Sequence, residues 1–195
     1  MLENIKSALS DSADALAALR ANENTLASIQ EAARVLSKAF KSGHQVISCG
    51  NGGSMCDAMH LAEELSGRFR DDRPALAATA ISDPSHLSCV ANDYGYDYVF
   101  SRYVEAHGKQ DDVLVGISTS GSSKNVVRAA QSARKLGLKV IILTGRHGSD
   151  LAKLADIEIG TPAGKYADRV QELHIKVVHI LIECVERQLF PQNYD

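Results

Sequence analysis

The chain has 195 residues, 45% of them hydrophobic and 23% charged, and 21 Lys and Arg against 24 Asp and Glu give a formal net charge of −3. That apolar share offsets chain entropy and excludes disorder as the main state, and the length suits a single domain over residues 1–195. The near-balanced charge removes any case from bulk basicity for nucleic-acid binding, and no run approaches the roughly 20 apolar residues of a membrane span.

The first forty residues step in threes and fours. Leu2, Ile5, Leu9, Ser12, Leu16 and Leu19 form one stripe, Asn22 and Glu23 interrupt, and Leu26, Ile29, Ala33, Leu36 and Phe40 form a second. Two amphipathic helices are predicted, ended by Ser42-Gly43. Stripes this narrow suit packing on other helices, and a partner subunit is the preferred cover for the first. The N-terminal segment carries acids and lacks a compact apolar stretch, so it does not read as a signal peptide. Cys49, Cys56, Cys89 and Cys184 form no CxxC pair. They are expected to be small buried hydrophobes in a reduced cytosolic chain.

After Gly43 the texture changes. Residues 44–49 form a β-prone run that ends in Gly50-Asn51-Gly52-Gly53-Ser54, and a helical pattern follows to about Phe69. A second strand is predicted over Leu76–Ile81 and one or two short helices over residues 85–107. Val113–Ile117 is the third strand, running into Ser118-Thr119-Ser120-Gly121-Ser122-Ser123 and a helix to about Leu136. Lys139–Leu143 is the fourth strand, residues 149–155 a short helix, and Ile157–Ile159 the fifth strand. Short apolar strands alternating with helices imply an α/β fold, a five-stranded parallel sheet covered on both faces. A long helix over about Tyr166–Leu189 closes the chain. It is apolar nearly all round, so subunit contact is the expected cover for part of it.

Two strands thus end in Gly/Ser-rich turns that open helices. Such turns direct free N–H groups and the positive end of a helix dipole at one spot, the geometry for a phosphate. Neither turn is a P-loop or a dinucleotide fingerprint. Ser118, Thr119, Ser120 and Ser123 add neutral hydroxyl donors. His60 and Glu64, at i and i+4, share a helix face, whereas Glu63 is expected to point elsewhere. On the last helix, Gln171, Glu172, His174, His179 and Glu183 interrupt the apolar surface. At 100° per residue, spacing favours Glu172 or Glu183 as a partner for His179 over Gln171. Spacing alone leaves the acid–base group open among these side chains.

GNGGSMCDAMHLAEELSGRF, SCVANDYGYDYVFSRYVEA, DDVLVGISTSGSSKNV and ADRVQELHIKVVHILIE together resemble the phosphoheptose isomerases of the sugar isomerase (SIS) domain superfamily, in order and over essentially the whole chain. The resemblance implies a flavodoxin-like parallel sheet with N-terminal helices (residues 1–42, used in oligomerisation) and a long C-terminal helix. It implies conversion of sedoheptulose 7-phosphate to D-glycero-D-manno-heptose 7-phosphate, which starts heptose supply for lipopolysaccharide core. A cytoplasmic homotetramer with sites between subunits and one zinc ion per subunit also follows from it. By motif, Asn51, Gly52, Gly53, Asn92 and Asp93 would contact substrate, and Ser118, Thr119, Ser120 and Ser123 would hold its phosphate. His60, Glu64, Gln171 and His179 match the zinc ligands, and Glu64 and His179 also match the acid–base pair. Gln171 would contact substrate too, and Asp168 would orient sugar hydroxyls. The resemblance therefore selects Gln171 where spacing prefers Glu172. Ser122 stands where an asparagine is common in the family. The alternative is a non-enzymatic relative that binds the replication initiator DnaA. Its pattern lacks the carboxylate and histidine that this chain keeps as Glu64 and His179.

Overall fold

The computed structural model describes residues 1–161 and 163–194. The break at Asn22 separates α1 (Leu2–Ala21) from α2 (Glu23–Lys41). Asn22 Oδ1 accepts the Thr25 N–H at 3.1 Å and caps the second helix. Five strands follow: β1 (Val46–Gly50), β2 (Ala78–Ala80), β3 (Val113–Ser118), β4 (Lys139–Thr144) and β5 (Ile157–Gly160). They form one parallel sheet in the order β2-β1-β3-β4-β5, with Val46 registered to Ala78 on one side and Val113 on the other. Between and after them lie α3 (Gly53–Ser66), α4 (Pro84–Tyr94), α5 (Val99–His107), α6 (Lys124–Leu136) and α7 (Ala167–Leu189).

Alternation along the strands divides the core. Val113, Val115, Ile117, Ile141 and Leu143 pack against α2, α3 and α7, whereas Ile47, Leu114, Val140 and Ile142 pack against α4, α5 and α6. Burial on both faces explains why the strands read as continuous apolar runs. The strand order reverses between β1 and β3, and the crevice at their carboxyl ends is where open α/β sheets bind ligands. Both Gly/Ser-rich turns open there.

Four expectations need correction. The second strand is cut to Ala78–Ala80 because the Leu76 N–H turns away to the Leu65 carbonyl at 3.1 Å. Residues 149–155 hold only a single 3-10 turn, Ala152–Leu154. The chain itself covers nearly all of α7: Val170, Leu173, Val177, Val178, Leu181, Ile182 and Val185 are buried, and Ile180 alone among the large apolar residues of α7 is exposed, at 41%. The reason is that α1, α2 and α3 all pack on this helix. Finally, Cys49 alone of the four free cysteines is buried, and burial pushes its thiol up to about 12; Cys56 and Cys89 are exposed. Among the described residues no helix is long and apolar enough to cross a membrane.

Candidate active site

The turn after β1 depends on glycine twice. Gly52 has φ +56°, in the region that favours glycine. A Cβ on Gly50 would stand 2.6 Å from the Ser54 main-chain oxygen, whereas one on Gly53 would meet only the end of the flexible Gln171 side chain, which lies on the first turn of α3. Asn51 is held from the side. Its amide exchanges two hydrogen bonds with Asn125, Asn51 Nδ2 to Asn125 Oδ1 at 2.9 Å and the reverse at 2.8 Å. The Tyr96 hydroxyl donates to Asn51 Oδ1 at 3.2 Å. Asn125 is buried on α6, so this amide pair ties the β1 turn to the helix after the serine loop. Sequence reasoning passed over it. Its one signal is an asparagine just inside a helix start, where it is a poor helix former.

The serine loop is knit by its own hydroxyls. Ser118 Oγ lies 2.9 Å from Ser123 Oγ and 3.4 Å from Ser120 Oγ, and accepts the Gly121 N–H at 3.2 Å. Ser122, at the departure from the family pattern, donates from its N–H and its hydroxyl to Ser120 Oγ at 3.3 and 3.2 Å. Thr119 and Ser120 line a cleft of about 200 Å³ that also carries Arg146 and Lys165. These two cations had no motif to announce them.

The polar cluster lies where α3 meets α7. His60 Nε2 is 2.9 Å from His179 Nε2 and 3.5 Å from Glu64 Oε1. Contrary to expectation, Glu63 does not point away: its Oε1 sits 3.4 Å from His60 Nδ1. A carboxylate thus stands near each ring nitrogen of His60, Glu63 by Nδ1 and Glu64 by Nε2. Burial, the neighbouring His60 and, more weakly, Lys176 hold the His179 pKa below its ordinary value, with Glu64 opposing. Phe69 packs beside the His179 ring, with centroids 5.9 Å apart. Ring nitrogens 2.9 Å apart either share one proton or converge on a cation. Two imidazoles and a carboxylate form a mixed N/O set that fits a divalent ion; His60, Glu63 and Glu64 by themselves bring ligand atoms within 4.8 Å of one another. One turn earlier on α3, Asp57 is buried, and burial pushes its carboxyl up to about 6.

The structure does not gather every expected residue here. Asn92 and Asp93 are exposed at the end of α4, where Asn92 Nδ2 donates to Asp93 Oδ1 at 2.8 Å. Asp168 is exposed in the first turn of α7, beside a cleft of about 560 Å³ between α1 and the segment before α7. Gln171 makes no side-chain hydrogen bond among the described residues and is placed by its packing on Gly53. The two carboxylates favoured by spacing are engaged elsewhere. Glu172 pairs with Arg169 and accepts from Ser12 Oγ at 2.5 Å, and Glu183 binds Arg70 and Arg187.

The family model described as SIS domain matches residues 10–145, which defines the class of fold and site. The chain is 58% identical to the phosphoheptose isomerase of Aeromonas hydrophila subsp. hydrophila over 187 residues, 96% of this chain and 97% of that one. It superposes on phosphoheptose isomerase GmhA from Neisseria gonorrhoeae with a TM-score of 0.88 at 36% identity, covering 95% of this chain and 98% of that one. A phosphoheptose isomerase from Francisella tularensis gives 0.90 at 35% identity with the same coverage. The chain belongs to the phosphoheptose isomerases of the SIS domain family, and it is an isomerase rather than an adaptor.

Proposed function

We propose that this isomerase converts sedoheptulose 7-phosphate to D-glycero-D-manno-heptose 7-phosphate in the cytoplasm, the first step of heptose synthesis for lipopolysaccharide core. The observation that carries the reading is the pairing, in one chain, of the ionisable His60–Glu64–His179 cluster with a hydroxyl-rich turn at the carboxyl end of β3. Such a pair of features suits a sugar phosphate, with the anion on the turn and the reacting carbons at the cluster. Ser118, Thr119, Ser120 and Ser123 hold the phosphate, and Asn51, Gly52, Gly53, Asn92, Asp93, Asp168 and Gln171 contact the sugar.

An aldose–ketose exchange moves one proton between adjacent carbons and one between their oxygens. Glu64 takes the proton from C1 of the ketose and returns it to C2 through a cis-enediol. His179, neutral near pH 7, passes the proton between O1 and O2. His60, Glu64 and His179 would hold one zinc ion per subunit, supplying Lewis-acid polarisation of the sugar oxygens, whereas Gln171, which packs on Gly53 about 12 Å along α7 from His179, would join them only across a subunit contact. A carboxylate on a cation is a weaker base, so the two roles of Glu64 pull in opposite directions. The test is a coupled assay with sedoheptulose 7-phosphate, with and without chelator. Turnover that chelation abolishes and zinc restores is expected; no turnover of this substrate overturns the substrate, and full turnover in chelator overturns the metal.

We infer further that residues 1–42 serve assembly of a homotetramer with sites between subunits. The support is the α1 stripe, where Leu2, Ile5, Leu9 and Leu16 are 63, 51, 67 and 41% exposed. Leu9→Glu with Leu16→Glu is expected to give a smaller, inactive particle by light scattering and assay. A folded, fully active monomer would overturn both the seam and the shared site.

A further inference from the structure

Arg73 lies outside the candidate site yet holds both helices that build it. Its side chain and that of Glu186 are 0% exposed. Nε donates to Glu186 Oε1 on α7 at 2.8 Å. Nη2 donates to the Glu64 carbonyl at 2.6 Å, and Nη1 to the carbonyls of Leu65 and Gly67 at 2.9 and 2.8 Å. Glu64 and Leu65 are among the last four residues of α3, whose carbonyls have no partner within the helix. A cation at that end also meets the negative end of the helix dipole. The other Glu186 oxygen accepts the Tyr194 hydroxyl at 2.7 Å, so the C-terminal tail closes the network.

We propose that Arg73, with Glu186 as counter-ion, is a positioning residue that locks the end of α3 onto α7 so that His60, with Glu64 beside it at 3.5 Å, meets His179 at 2.9 Å. The inference rests on reading these side chains as a metal site. Beside the apolar packing of α3 on α7 and the Gln171 contact at Gly53, two polar contacts tie the far end of α3 to α7. One is His60 on His179; the other is Arg73 on Glu186, seven residues along α7 from His179, about 10 Å along the axis and about 20° round it. The residue whose carbonyl Arg73 grips is the one whose carboxylate serves the cluster, so any shift of that main chain is passed directly to Glu64. The planar fork of arginine reaches a carboxylate and several carbonyls at once, which the point charge of lysine cannot reproduce. For stability alone, a well-packed apolar pair commonly does as well as a buried ion pair. Orientation is what the ion pair adds here.

The test is Arg73→Lys, read by zinc affinity in chelator competition and by the crystal structure of the zinc-free variant. Affinity is expected to fall about 10- to 100-fold, the range for residues that orient metal ligands. kcat is expected to fall with it, KM for the sugar phosphate to stay near its parent value, and His60 and His179 to part. Leu138→Ala, a cavity in the opposite core cluster, is the control for general destabilisation and is expected to keep the parent affinity. Parent-like affinity with His60 still on His179 in Arg73→Lys overturns the clamp, as does an equal loss in the control. Should Arg73→Lys not fold, Arg73→Met with Glu186→Met replaces the ion pair by an apolar one, and unchanged affinity there overturns it equally. A parent protein that takes up no zinc overturns the metal reading instead, and the His60–His179 separation in the zinc-free variant then decides the clamp by itself.

Discussion

His60, Glu64 and His179 stand on two long helices, whereas Ser118, Thr119, Ser120 and Ser123 sit in a turn between a strand and a helix. The first group is ionisable, with His60 and Glu64 half-buried and His179 exposed, and is held by contacts between elements that are more than one hundred residues apart in sequence. The second is neutral, and most of its hydrogen bonds run within six residues. The difference separates two tasks. Proton transfer needs groups whose charge can change and whose spacing is held by packed helices. A phosphate of fixed charge needs only converging N–H and O–H donors, which a turn at a helix start provides from local sequence. Asn51 and Asn125 join the two, since their amide pair fastens the start of α3 to the start of α6.

The largest effect is expected where charge changes. Glu64→Gln and His179→Gln should each lower kcat by about 10² or more, the scale of a lost general acid or base. Circular dichroism should show the fold intact, since neither change alters size much. Parent-like turnover in either variant removes that residue from the acid–base role and breaks the division of tasks. Ser118→Ala should act on KM more than on kcat, because a remote phosphate is held alike in ground and transition states. One hydrogen bond to a charged group is worth about 1.5–3 kcal/mol, or roughly 10- to 100-fold in KM. An unchanged KM would reduce the serine loop to a helix cap.

The smallest effect sharpens the contrast on α7 itself. His174 is on the same helix as His179 but is fully buried, and neither of its ring nitrogens has a hydrogen-bond partner among the described residues. Burial pushes its pKa down to about 4. Between that value and the ordinary histidine value near 6.5 the unfolded chain binds the extra proton and the fold does not. Stability from this group is therefore complete above about pH 6.5 and is lost as pH falls toward about 4, by up to about 1.4 kcal/mol per pH unit. His174→Leu should flatten that slope in urea titrations across the range while leaving kcat near the parent value. A slope equal to the parent's removes His174 as its source.

Where information was local, it could be read directly. Strand followed by Gly/Ser turn followed by helix is written within about twenty residues, and both turns stand where those patterns placed them, at the strand-order reversal. The i,i+4 pair His60 and Glu64 was legible for the same reason, because one helix turn sets its geometry. The partner of His179 was not legible from spacing, although the family motifs grouped it with His60, Glu64 and Gln171. Angular spacing on α7 favoured Glu172 or Glu183, yet both are taken by arginines, and His60 arrives from α3. Glu63 was misjudged because a helical wheel fixes where a Cβ points, whereas a glutamate side chain can swing its carboxylate to the far ring nitrogen. The expectation that α7 outruns its own chain failed on the same ground, since hydrophobic periodicity says that a face must be covered and not by what.

By itself, then, the sequence determined the order of strands and helices, the two turns that can take a ligand, and, through four matching motifs, the family. Those features depend on interactions within a turn or a helix face and on patterns of residue type. Only the tertiary structure decided that Asn51 pairs with Asn125, that Arg73 binds Glu186 and that α1 leaves its stripe exposed while α7 does not. Each of these joins residues far apart in the chain, and their approach follows from how the apolar faces of whole elements pack together.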